Sequence, residues 1–230
     1  MSLYWLGNGP GTDFPPPWQA LDEPNGLLAA GGDLSETRLL AAYQRGIFPW
    51  YNDGQPVLWW SPDPRMVLVP EDFHASRSLL KAARKLPWRF SYNTCFDAVV
   101  DACASPRADQ DGTWITDEMR NAYRHLHAQG WAHSIEVWLE GGLVGGLYGV
   151  AIDRVFFGES MFSHVSNGSK MAMSRLCRDL VVDGFGLLDC QMYTEHLASL
   201  GARAISRASF CQQMARDCSA LKKWRPPQHL

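Results

Sequence analysis

Apolar positions along this chain alternate between two periods, and the switches mark its elements. Over residues 35–45, Leu39, Leu40 and Tyr43 recur at helical spacing. Asp33 or Ser35 can cap that segment and Gly46 can end it, which predicts a helix. A second helix is predicted over residues 76–86, where Leu79, Leu80 and Ala83 form the apolar stripe. Arg77, Lys81, Arg84 and Lys85 fall at i, i+4, i+7 and i+8 on another face of it. A third spans residues 117–129, stopped by Gly130. A fourth starts near Ser169, carries Met173, Leu176, Cys177, Leu180 and Val181 on the 3.6 period, and stops at Gly184. Between the third and fourth the period drops to two. Residues 134–139 alternate, Gly141 and Gly142 make a hairpin turn, residues 143–152 return, Asp153 and Arg154 turn again, and residues 155–159 follow. Residues 187–193 read as a buried strand, 194–200 as a short helix ended by Gly201, and 206–222 as a last helix. Residues 1–33 are rich in Gly and Pro and read as loops with short strands.

Antiparallel strands followed by helix, strand and helix give an α+β class. The order is compatible with the N-acyltransferase superfold, though other folds share it. Residues 49–64 pack three tryptophans and four prolines into a turn and a short strand. The expected boundary lies just after them: a small domain over residues 1–64 and a larger one over residues 65–230.

Composition narrows the function classes. With 46% apolar residues the chain can bury a proper core. A net charge of −3 excludes a globally basic nucleic-acid coat, so any RNA contact needs a local patch. The basic helix face is the densest such patch, and Lys222, Lys223 and Arg225 are a weaker one. The six cysteines show no C-x-x-C pairing, which argues for reduced thiols, and the histidines show no metal spacing. No metal is assigned. There is no secretory leader pattern and no apolar run near twenty residues, so a soluble, cytoplasmic protein is expected.

Asp189 and Gln191 carry the most informative chemistry. Two apart on a strand, they should share a face with Leu187 and Tyr193, about 6.5 Å from one another. A carboxylate and a carboxamide in an apolar strand must be hydrogen-bonded, either as a structural polar pair or as a site. Glu159 ends another apolar strand beside Gly158, which leaves room for close approach. A lone Glu there often faces solvent; lining one cleft with Asp189, it would make an acidic spot for an ammonium group. Residues 166–170 lead into a helix and could favour an anion or serve as an ordinary N-cap. They form no P-loop and lack the glycine-spaced loop of a coenzyme A pyrophosphate site. Trp50, Trp59, Trp60 and Trp114 could stack a base or pack a core. No Ser-His-Asp or Cys-His pairing is convincing, so no covalent nucleophile is expected.

Taken in order, the stretches NGLLAAGGDLS, AYQRGIFPWY, LWWSPDPR, GTWIT, GGLYGVAI, FFGESMFS, NGSKMA and LLDCQMYTEHLASLGA closely resemble the leucyl/phenylalanyl-tRNA–protein transferase family over residues 20–205. The resemblance implies a small N-terminal domain on an acetyltransferase-like C-terminal domain that uses aminoacyl-tRNA in place of acyl-CoA. It implies transfer of Leu or Phe, with Met a further candidate, to proteins beginning with Arg or Lys, marking them for N-end rule degradation. It implies no metal or dissociable cofactor. By the same resemblance Trp50 and Trp114 would stack the terminal adenine, and Leu147 and Phe156 would line the side-chain pocket. Leu176 and Leu180 stand at pocket-helix positions where some relatives are expected to carry an aromatic. Glu159 would sit beside the reacting groups, and Asp189 with Gln191 at the peptide-forming centre. There Gln191 would orient the amine, Asp189 would hold Gln191, and a ribose hydroxyl or water would relay the proton. The basic helix face would meet tRNA phosphates. Two other readings compete. An acyl-CoA-dependent N-acyltransferase is disfavoured by the missing pyrophosphate loop, and a non-catalytic RNA-binding module by the acidic net charge.

Overall fold

The structure is a computed structural model that describes residues 3–7, 9, 11–105 and 115–227. The chain runs β1 (Tyr4–Leu6), β2 (Leu27–Gly31), α1 (Glu36–Gln44), β3 (Phe48–Pro49), β4 (Leu58–Trp60), β5 (Arg65–Leu68), α2 (Arg77–Lys85), β6 (Arg89–Tyr92), α3 (Phe96–Ala104), α4 (Asp117–Ala128) and β7 (Ala132–Leu139). It continues with β8 (Gly142–Ile152), β9 (Val155–Ser163), α5 (Gly168–Val182), β10 (Leu187–Gln191), α6 (Glu195–Ser199), β11 (Arg203–Ile205) and α7 (Arg207–Asp217). The α+β class expected from the element order holds.

Strands β1 to β4 form one sheet in the order β1-β2-β4-β3, and the other seven form a second in the order β11-β5-β10-β9-β8-β7-β6. Most neighbours in the larger sheet are antiparallel, but β9 and β10 run parallel, joined by α5 as the crossover a parallel pair requires. This sheet separates two apolar layers. On one face α5 and α2 bury Met171, Leu176, Leu180 and Leu79 against Leu147, Phe156 and Leu188. On the other, α1, α3 and α4 bury Tyr43, Val99, Val100 and Tyr123 against Tyr148, Phe157 and Leu187. Two glycines let α5 sit close on β8, because a Cβ on Gly145 would lie 2.6 Å from a backbone atom of Gly168.

The sequence reading differs from the structure in several places, one being β9, which runs past the expected end at Glu159 to Ser163. The hairpin turn between β7 and β8 is made by Glu140 and Gly141, both at positive φ (51° and 81°), which is the primed turn that matches strand twist. Helix α3 was not anticipated, nor were β5, β6 and β11. The last helix ends at Asp217 instead of near residue 222. Its tail is drawn across the sheet, where Trp224 packs edge-on against Tyr92, His133, Phe156 and Phe185 and donates Nε1–H to Asp183. Among the described residues, no helix is long and apolar enough to cross a membrane.

Candidate active site

Two β-bulges open the larger sheet. Gly149 pairs with Gly158 and Tyr148 with Ser160, so Glu159 is an extra residue in β9. Asp189 pairs with Val67 and Gln191 with Met66, so Cys190 is an extra residue in β10. The parallel pairing of β9 with β10 ends at Phe157 and Asp189. Beyond that point the strands part, and a cleft of about 850 Å³ opens between them. Bulges re-aim side chains, and here they bring Glu159 and Gln191 together although 32 residues separate them.

Glu159 lies at the floor. Its Oε1 accepts from Tyr43 Oη–H at 2.8 Å and from Gln191 Nε2–H at 3.0 Å, and its Oε2 accepts from Tyr123 Oη–H at 2.6 Å. The two phenol oxygens are themselves 2.6 Å apart. Burial pushes the Glu159 carboxyl up to about 7; the phenol and carboxamide donors oppose the shift, and the charge of Asp189 adds to it. No cation pairs with it among the described residues.

Asp189 sits elsewhere. It is fully buried beneath the cleft and does not line it, held by Arg65 through Nε–H to Oδ1 at 2.8 Å and Nη2–H to Oδ2 at 2.6 Å. Arg65 also donates to Gly46 O at 3.1 Å and lies between the rings of Phe48 and Phe210. The joint acidic spot of Asp189 and Glu159 therefore does not form, because Asp189 is already neutralised by a bidentate partner. Asp189 instead accepts the main-chain N–H of Gln191 at 3.0 Å, which fixes Gln191 at a φ of 62°. Simple alternation is broken by the bulge at Cys190, and Tyr193 lies past the end of β10, exposed.

Trp50, Leu147, Phe156 and Leu176 also line the cleft. The last three form an apolar bay with Met173 and Leu188. Trp50 stands at the rim, 41% exposed, with Trp60 edge-on at 5.5 Å and donating Nε1–H to Trp50 O. Serine, threonine and histidine residues (Ser160, Ser163, His164, Thr194, His196) make the remaining wall polar. Leu180 is buried in the layer behind the bay and does not reach it. Arg77, Lys81, Arg84 and Lys85 are all exposed on α2, and none lines the cleft. Trp114 lies outside the described residues. Trp59 is a core residue whose Nε1–H satisfies Gly31 O. At the start of α5, Ser163 Oγ accepts the N–H of Ser169 while Asn167 makes no side-chain cap, so the helix is capped from the end of β9 and not by residues 166–170.

Sequence reasoning missed Tyr43, Tyr123 and Arg65. Tyr43 was visible only as an apolar helix position; the usable signal was that a buried tyrosine hydroxyl requires a partner. Among the described residues no group of three His, Cys, Asp or Glu side chains could hold a metal ion.

The family model described as "Leucyl/phenylalanyl-tRNA protein transferase" matches residues 67–215, and the one described as "Leucyl/phenylalanyl-tRNA protein transferase N-terminal domain" matches residues 32–63. A leucyl/phenylalanyl-tRNA–protein transferase of Pseudomonas putida (strain W619) is 61% identical over 225 residues, which cover 97% of this chain and 99% of that protein. One from Saccharophagus degradans is 58% identical over 226 residues, covering 98% and 91%. Among solved structures, a GCN5-related N-acetyltransferase from Kribbella flavida overlaps 72% of this chain and 59% of its own at 12% identity and a TM-score of 0.39, too loose a likeness to argue from. The full-length identity leaves no such looseness: the chain belongs to the leucyl/phenylalanyl-tRNA–protein transferase family, enzymes that move an aminoacyl group from tRNA to protein.

Proposed function

We propose that the cleft between β9 and β10 receives the leucylated or phenylalanylated 3′ end of a tRNA and transfers its acyl group to an N-terminal Arg or Lys of an acceptor protein. The reaction takes place in the bacterial cytoplasm and marks the acceptor for N-end rule degradation. The observation that carries this reading is the juxtaposition of the Glu159–Gln191 pair with an apolar bay and a rim tryptophan in one cavity.

The chemistry needs little more than placement. An aminoacyl ester is already activated, and holding it against an amine in a near-attack pose can supply several kcal/mol. An N-terminal ammonium titrates near about pH 8, so a neutral fraction is present near neutrality. Leu147, Phe156 and Leu176 take the transferred side chain, with Leu180 supporting the layer behind them. Trp50, with Trp114, stacks the terminal adenine. Gln191 spends its Nε2 on Glu159, which leaves its carboxamide oxygen to accept an N–H from the attacking amine. Asp189 acts through Gln191, as a positioning residue. The small domain (residues 1–64) contributes Trp50 to the rim of a cleft floored by the larger one (residues 65–230), and sets Tyr43 behind that floor against Glu159. The basic face of α2 meets tRNA phosphates away from the cleft.

Incubation with labelled leucyl-tRNA and a peptide beginning with Arg should add one leucine residue to the peptide mass, and the same peptide beginning with Ala should gain none. Transfer from leucyl-coenzyme A instead, or no transfer to the Arg peptide, overturns the reading.

A further inference from the structure

Glu159, Tyr43 and Tyr123 make three short contacts that close a ring: Tyr43 to Oε1, Tyr123 to Oε2, and one phenol oxygen to the other. Each contact needs one proton between its oxygens, and two phenols carry only two. If both phenols donate to a carboxylate, two lone-pair-bearing oxygens are left facing each other at 2.6 Å. A third proton on the carboxyl closes the ring. Oε2–H then donates to Tyr123, Tyr123 to Tyr43, and Tyr43 to Oε1, where Gln191 also donates. The ring is thus a store for one proton, and its neighbours keep that proton easy to move. Three phenols face the carboxyl: Tyr43 from α1, Tyr123 from α4 and Tyr148 from β8. Gln191 and Asp189 face it from β10, the latter neutralised by Arg65 of β5. Among the described residues no ammonium or guanidinium pairs with it, and burial pushes its carboxyl up to about 7, above the usual carboxylate range.

We propose that Glu159, closed into this ring by Tyr43 and Tyr123, is the proton-transfer group of the reaction, accepting the proton of the attacking nitrogen and returning it to the departing ribose oxygen. The proposal rests on the transfer reading above and replaces the ribose hydroxyl or water as the relay. In the first half, the neutral amine forms its C–N bond to the ester carbonyl carbon, and the carbonyl π pair moves onto oxygen. The nitrogen then gives one proton to the Glu159 carboxylate. In the second half the tetrahedral centre collapses, the ribose oxygen leaves with the C–O pair, and Glu159 supplies its proton. The carboxyl ends as it began. Glu159 lines the cleft and is the catalytic residue; Tyr43 and Tyr123 lie behind it and are positioning residues that stabilise whichever form it holds.

The test has a substrate-free arm and a kinetic arm. Difference infrared spectra of the wild-type protein should show the carbonyl band of a neutral carboxyl that fades with a midpoint near pH 7 and is absent from Glu159→Gln. Tyr43→Phe and Tyr123→Phe each remove a donor to the carboxylate and should move that midpoint upward. In single turnover with leucyl-tRNA and an Arg peptide, Glu159→Gln should slow transfer by about a hundredfold or more, with tRNA affinity unchanged. A wild-type rate in Glu159→Gln, or a Glu159 band already lost well below neutrality, overturns the proposal. Failure of the wild-type enzyme to transfer at all would instead remove the reading beneath it, and the infrared arm would still report the ring.

Discussion

Replacing Asp189 by asparagine isolates what the buried Arg65 pair contributes. Arg65 and Asp189 are 1% and 0% exposed, and the asparagine keeps the shape while removing the charge. Arg65 would keep Gly46 O and the faces of Phe48 and Phe210, but no anion. Removing one partner of a buried ion pair costs about 3–5 kcal/mol, because the other charge stays desolvated and unpaired. For a chain of this size each kcal/mol moves the melting temperature by about 2–4 °C, so the variant should melt roughly 6–20 °C lower. Thermal unfolding followed by circular dichroism measures this, with the Arg65→Met/Asp189→Leu double variant as partner. Removing both charges together should restore much of the lost stability, since the desolvated charge is gone. Transfer should stay impaired in the double variant, because the Gln191 main-chain N–H has lost its acceptor. If Asp189→Asn melts with the wild type, the pair is not the clamp described here and Asp189 acts in some other way.

Three further outcomes follow from named contacts. Trp50→Ala should weaken binding of a non-hydrolysable aminoacyl-adenosine by roughly 5–150-fold, the equivalent of about 1–3 kcal/mol of base stacking, and unchanged affinity in a calorimetric titration would remove the stacking role. Alanine at both Lys81 and Arg84 should lower the slope of log affinity for tRNA against log salt by about 1.8, at about 0.9 per phosphate contact; an unaltered slope places the phosphates elsewhere. His133 is buried against Trp224 with Nε2 unpaired among the described residues, and burial first, then the nearby His127, depresses its protonation to about 4 from 6.5. The unfolded chain therefore binds an extra proton as pH falls through that window, and the fold should lose about 3 kcal/mol across it. His133→Leu should flatten that acid slope in urea unfolding, and an equally steep slope would contradict the assignment.

The sequence announced what repeats and concealed what depends on register. The ends of helices α1, α2, α4 and α5 were readable to within a residue or two. Helices α2 and α4 start on side-chain caps at Ser76 and Thr116, whereas Ser35 and Asn167 make none at α1 and α5. Of the stripe expected on α2 only Leu79 is buried. Helix α3 has its stripe in Phe96, Val99, Val100 and Cys103 but begins at Cys95, which makes no side-chain cap, and the start signal is absent. Strands β5, β6 and β11 are three or four residues long, too short for alternation to register. In the site, Gln191 and Glu159 stood out as polar residues in apolar strands. Their meeting depends on two bulges that no periodicity encodes. Arg65 is a single basic residue in a proline-rich stretch, and its partner lies 124 positions away. Tyr43 looked like one more apolar contact because its ring obeys the helical period while its hydroxyl answers to β9.

The most direct measurement is a crystal structure of the protein with a non-hydrolysable leucyl-adenosine amide. The adenine should lie on Trp50 and the leucyl side chain between Leu147, Phe156 and Leu176, with the reacting carbonyl beside Glu159 and Gln191. Ligand bound outside the cleft between β9 and β10, or with its acyl carbon turned away from Glu159, contradicts the whole assignment.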